Sequence, residues 1–442
     1  MSDAVILYPS SGRGHVVPMV ELGKLISKHH PSISITIIIL TLPNETTSTN
    51  SYIATVSAAA PSINFIHIVA SSFEIAQLNN RNLHQAILTL SSSSNVKALV
   101  IDYFCNFAVQ VSSCLNIPTY YFCAASASAL CHLLYCPTIH KNIAESLKDL
   151  DILVDAPGTP SIPSKDLPLV MLDRSHRVYQ YFINTANQMA KSSGIIVNTF
   201  ESLGPRAVKA ILEGKCTPDE SFLPPIYCIG PIVSTSESKE EHECLIWLDS
   251  QPSRSVVFLC FGSMGVFSAT QLKEMAIGLE KVGLGSCGWC AIHQQIIKPE
   301  AFYMQKNEAW KRKTGFVVKL WAPQVAILNH GSVGLFVTHC GWNSILESVC
   351  AGVPMLAWPL YAEQKMNRTF LVEGMKMGLK VSESEDGIVS AAELEQRLTE
   401  MMKSEKGKEI ERRVMAIRAC AVEAVNNGGS SRVALAHFVE SL

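Results

Sequence analysis

Short, uninterrupted apolar runs recur along this chain and alternate with helix-length amphipathic segments. AVILYP leads into VVPMVELGKLISKHH and then ISITIIIL, and KALVIDYF is followed by a helical stretch and IPTYYF. A strand that is apolar at every residue, not every second one, is buried on both faces, as in a parallel sheet covered by helical crossovers. The 48 % of hydrophobic and 17 % of charged residues suit large buried sheets of that kind. The spacing therefore predicts an α/β fold. A chain of 442 residues is also too long for one ordinary core, so two units are expected.

The alternation lapses in the Pro-rich segment 155–168, resumes with GIIVNTF and IYCIGPI, and gives way to the polar tract STSESKEEHE. It restarts with SVVFLCFGSMG and continues through GFVVKLW, VGLFVTH and PMLAWPL. The resulting division is 1–233, a linker over 234–250, a second unit over 251–425, and a terminal helix over 426–442. That helix could pack on either unit, and a return to the first is the expectation carried forward. A net charge of −2 provides no basic field for nucleic acid or anionic lipid. The longest apolar run, residues 33–42, is too short to cross a bilayer. No leader-like segment opens the chain. The fourteen cysteines are scattered through apolar runs, as in a reduced cytoplasmic protein. The triplets at Asn44 and Asn367 are accordingly expected to carry no glycan.

HCGWNS, residues 339–344, separates the strand-like GLFVT from the helix-like SILESVCAG. A strand-turn-helix junction aims backbone N–H groups and a helix dipole at an anion. Ser344 and Glu347 also fit a capping box, which would be a purely local role. His339 and Trp342 need more explanation, because a turn requires neither. A second turn, SGRGHVVP, puts His15 between a strand and a helix. Its glycines hint at a dinucleotide fingerprint, but the third glycine and the acid ending the next strand are missing. Asp102 ends the run ALVID, where an unpaired carboxylate would be costly. Asp149-Leu150-Asp151 and Cys287-Gly288-Trp289-Cys290 resemble metal or redox motifs, yet neither has the surrounding pattern such a site needs.

Residues 321–364, WAPQVAILNHGSVGLFVTHCGWNSILESVCAGVPMLAWPLYAEQ, resemble without a gap the signature box of plant family-1 UDP-sugar-dependent glycosyltransferases. Weaker similarity covers most of the rest, including YPSSGRGHVVPMVELGKL, whereas residues 284–313 depart from the family pattern. The resemblance implies a GT-B fold, two facing Rossmann-like domains with a cleft between them. It assigns Trp321 to stack on uracil, with the Ala322 backbone reading the base edge, and Gln324 and Glu347 to hold the ribose. Ser263, His339, Asn343 and Ser344 would hold the diphosphate, and Trp342, Glu363 and Gln364 the sugar. His15 would be the general base and Asp102 its partner.

The reaction this implies is inverting transfer of glucose from UDP-glucose, a co-substrate, with no resident cofactor and no metal. Trp342 with Gln364 resembles the glucose-using pattern. Tyr103, Phe104 and Phe122 around Asp102 would line a pocket for a small phenolic acceptor, with flavonoids, isoflavones or chalcones favoured. A monomer is expected, with no nucleic-acid partner and no membrane span. C-glycosyl transfer, a terpenoid acceptor and a non-catalytic UDP-sugar-binding relic remain open alternatives. A nicotinamide-dependent oxidoreductase is disfavoured by the incomplete glycine motif.

Overall fold

The computed structural model describes residues 1–41, 47–69, 79–217, 223–234, 242–282, 315–318 and 322–442. The Asn44 triplet, part of the expected linker (235–241), and the atypical segment 284–313 with its Cys-x-x-Cys lie outside the described residues.

The first unit is built on β1 (Ser2–Tyr8), β2 (Ser34–Thr41), β3 (Ile63–Val69), β4 (Ser94–Asp102) and β5 (Thr119–Cys123). A small antiparallel pair, β6 (Leu153–Val154) and β7 (Ile162–Pro163), precedes β8 (Gly194–Val197) and β9 (Ile226–Cys228). Excluding that pair, the strands form one parallel sheet in the order β3-β2-β1-β4-β5-β8-β9. The continuous apolar runs are explained by burial on both sides. In β1, Val5 and Leu7 pack with Val16 and Met19 of the Arg13–His29 helix, while Ile6 and Tyr8 enter the opposite layer with Cys105 and Leu130. The chain runs outward from β1 to β3 and then returns to β4 on the other side. The carboxyl ends of β1 and β4 therefore flank a topological switch point, where open α/β sheets bind ligands.

The second unit has β10 (Val256–Cys260), β11 (Val333–Thr338), β12 (Met355–Ala357) and β13 (Gly378–Lys380), parallel and in that order among the described residues. Phe258 and Phe336 are cross-strand partners whose rings stack at 5.1 Å, central to a core that also holds Trp358 and Ile345. Two Rossmann-like units face each other, as the GT-B reading expects. The Ser430–Glu440 helix crosses back to the first sheet, where Phe438 meets Tyr120 at 5.1 Å and Tyr227 at 5.6 Å, both edge-on. Arg368 of the second unit pairs with Asp166 of the first. No helix of the described residues is long and apolar enough to cross a membrane.

Candidate active site

The β1 strand ends in a turn whose Gly12 adopts φ +96° and starts the Arg13–His29 helix, so His15 lies in its first turn. Its Nδ1 lies 2.9 Å from Oδ2 of Asp102, the last residue of β4. Asp102 is wholly buried, and its other oxygen accepts from the Phe104 N–H at 2.9 Å, because it caps the short turn Tyr103–Cys105. Both oxygens are thus fixed. The His15 side chain keeps 30 % exposure, and with Nδ1 held, Nε2 is the nitrogen left for a substrate. Burial pulls the His15 pKa down, but the charge and hydrogen bond of Asp102, with Glu363 beyond, outweigh it and leave it above the ordinary 6.5.

An aromatic group surrounds this pair. The Phe104 ring stands edge-on to His15 at 5.1 Å, against Tyr103 at 4.3 Å and Phe182 at 5.7 Å. Phe182 comes from the Arg177–Met189 helix and was not expected from the sequence. Phe122 requires a correction. Strand alternation turns it into the opposite layer, among Val5, Val16 and Val100, where its ring has no exposed surface to offer an acceptor.

On the facing unit, β11 runs into the turn His339-Cys340-Gly341 and the helix Trp342–Ala351. That helix has Gly341 at its N-cap and no side-chain cap. Ser344 lies inside it, so the capping-box reading does not hold. Instead, Gln324 Nε2 donates to Ser344 Oγ at 3.0 Å and to Glu347 Oε2 at 2.5 Å, drawing three of the expected donor residues into one network. Burial pushes the Glu347 carboxyl up to about 7. His339 is buried, which lowers its pKa to about 4, and its Nδ1 has no hydrogen-bond partner among the described residues. Its ring sits between two glycines: a Cβ at Gly262 or Gly341 would fall 2.7 or 2.5 Å from Nε2. Gly262 also has φ +74°, so both features of the FGS turn demand glycine. Ser263, which follows it, is exposed, and Ala322 is buried with its carbonyl accepting from the Gln324 N–H at 2.8 Å. Trp321 lies outside the described residues.

Gln364 is buried, and its Oε1 accepts from the N–H groups of Leu360 and Tyr361 at 2.8 and 2.9 Å. It thereby shapes the loop after β12. Glu363 precedes it and acts electrostatically on both His15 and Tyr103, which brings the second unit to the base. Trp342 is buried and spends its indole N–H on the Asn198 carbonyl, while Asn343 Nδ2 donates to the Gly14 carbonyl at 3.0 Å. A small recess of about 20 Å³ lies between Val17 and Glu21 on one side and Asn343 and Glu347 on the other. Asp149 and Asp151 are exposed.

The model of the UDP-glucoronosyl and UDP-glucosyl transferase family matches residues 37–419. UDP-glycosyltransferase 88B1 of Stevia rebaudiana is 46 % identical, over 100 % of this chain and 99 % of that protein. Isoflavone 7-O-glucosyltransferase 1 of Glycine max is 45 % identical, over 98 % of each. Among solved structures, UGT2 of Phytolacca americana complexed with UDP-2fluoro-glucose and pterostilbene superposes with a TM-score of 0.87 at 30 % identity, covering 99 % of both chains.

Proposed function

Because this chain belongs to the UDP-glucoronosyl and UDP-glucosyl transferase family of UDP-sugar glycosyltransferases, we propose that it moves glucose from UDP-glucose to a hydroxyl of a small, flat aromatic acceptor. One observation carries the mechanism: a half-exposed histidine held at 2.9 Å by a wholly buried aspartate, at the switch point of one sheet and facing the donor turn of the other.

His15 Nε2 takes the acceptor proton, and the acceptor oxygen forms its bond to the anomeric carbon from the face opposite the diphosphate. The bond from that carbon to the diphosphate oxygen breaks, UDP leaves with the electron pair, and the configuration inverts. Asp102 stabilises the imidazolium that forms and holds the ring in the productive tautomer. In the donor site, Trp321 and the Ala322 backbone take the uracil, and Gln324 and Glu347 the ribose diol. His339 joins Ser263, Asn343, Ser344 and the uncapped helix start in holding the diphosphate. Trp342, Glu363 and Gln364 face the sugar. These groups meet the developing charge on UDP without a metal ion. The aromatic wall of Tyr103, Phe104 and Phe182 suits a planar acceptor, in keeping with the isoflavone and stilbene named for the two relatives.

The test is incubation with UDP-glucose and a panel of flavonoids, isoflavones, chalcones and stilbenes, with products identified by mass and anomeric configuration by NMR. A β-glucoside formed equally well with EDTA present supports the reading. Saturable UDP binding with no product from any phenolic would overturn the acceptor assignment, and an α-linked product the mechanism.

A further inference from the structure

Two consecutive side chains of the donor turn reach across the cleft to main-chain carbonyls of the first unit. Asn343 Nδ2 donates to Gly14 O at 3.0 Å, one residue before His15. Trp342 Nε1 donates to Asn198 O at 2.8 Å, just beyond the end of β8. Trp342 and Asn198 are both buried, so this second bond is shielded from water.

What holds the Asn198 carbonyl in place is its own side chain. The amide grips one residue of the crossover between units with both arms: Oδ1 accepts from Ile232 N–H at 2.7 Å, and Nδ2 donates to Ile232 O at 3.0 Å. The Asn198 N–H is bonded to Cys123 O at 2.9 Å. Next to it, Gly230 N–H donates to Thr199 O at 2.7 Å, and Ser431 of the final helix donates to Gly230 O. The end of β8, the crossover and the donor turn therefore meet at Asn198, with the returning helix bonded to Gly230 beside it.

We propose that Asn198 is a positioning residue for glycosyl transfer: its amide fixes the carbonyl on which Trp342 docks, and this sets the donor turn against His15. The inference rests on the reading that the 339–344 turn holds the donor. Losing the link leaves the groups that bind UDP in place but loosens the alignment of anomeric carbon and base, which affects turnover more than affinity.

The experiment is a double-mutant cycle in the full-length protein with Asn198→Asp, which sets an oxygen against the Ile232 carbonyl, and Trp342→Phe, which removes only the N–H donor and one ring. Each single variant is expected to lower kcat about ten-fold, the scale of one buried hydrogen bond, with UDP Kd within about two-fold and a larger share of UDP-glucose lost to hydrolysis. The double variant is expected to lose about ten-fold as well, because both changes sever the same link. An additive loss of about a hundred-fold, or lower Tm with kcat intact, overturns the proposal. If Asn198→Asp does not fold, Asn198→Ser takes its place in the cycle: a non-additive loss of kcat with UDP affinity kept supports the proposal, and an additive loss or a change confined to donor KM overturns it. Wild-type turnover separates the two readings. Its absence defeats the functional reading and the latch with it, whereas normal wild-type turnover with an additive cycle defeats the latch alone.

Discussion

Asp102→Asn preserves the shape of a wholly buried side chain and removes its charge. The Phe104 N–H can still be accepted by the amide oxygen, so the turn it caps survives. The amide nitrogen then faces His15 Nδ1, where a carboxylate oxygen had been at 2.9 Å, and donates to it. The imidazole is forced into the tautomer with its proton on Nε2, which can no longer accept one from the substrate. General-base catalysis is worth about 10²–10⁴-fold, so kcat should fall about 10³-fold, or about 4 kcal/mol of barrier. UDP affinity should stay within about two-fold. The pH profile gives an independent check. In the wild type, kcat/KM should rise with pH through a limb above 6.5, since Asp102 holds the His15 pKa up against burial; in the variant that limb should vanish. The assay is UDP release across pH 5.5–9 with saturating acceptor, beside thermal melts. A variant retaining more than about a fifth of wild-type kcat would refute the reasoning.

Glu347→Gln removes the carboxylate offered to the ribose diol. UDP affinity in the wild type should strengthen as pH rises through about 7, and the variant should bind about ten-fold more weakly with a flatter profile by calorimetry. His132 is buried and held near 4, so its contribution to stability is full above about pH 6.5, erodes as pH falls, and is gone by about pH 4. The full penalty is about 3 kcal/mol, and denaturant melts at pH 7.5 and 5 should show His132→Phe losing less stability on acidification than the wild type. An equal loss in both proteins would exclude His132 as its source. Phe182→Ala should raise acceptor KM several-fold through loss of the Phe104 contact, with UDP Kd unchanged; a shift in UDP Kd would place Phe182 outside the acceptor wall.

Much of the architecture was legible because burial on both faces leaves an unbroken apolar run, as in β1 and β4. His15 and Asp102 were each recognisable as chemistry-bearing residues at strand ends. Their 2.9 Å pairing was not, since it depends on β1 and β4 becoming neighbours across 87 positions of chain. Phe122 was misread because nearness to Asp102 was weighed and strand alternation was not: with Tyr121 and Cys123 facing the Tyr103 side, Phe122 had to face away. The capping box failed because the helix begins at Trp342, two residues before Ser344. Phe182 and Asn198 carried no local signal. The first is one apolar residue in a helical stripe, and the second acts through its carbonyl and through backbone groups 34 positions away.

His15 serves as the base toward the acceptor, across the cleft from a donor site that binds UDP without it. The most direct measurement compares wild type with His15→Gln for acceptor-dependent UDP release from UDP-glucose, with UDP Kd determined on the same preparations. Transfer is expected to fall at least about 10³-fold while UDP Kd stays within about two-fold. Transfer that survives the substitution would contradict that role of His15.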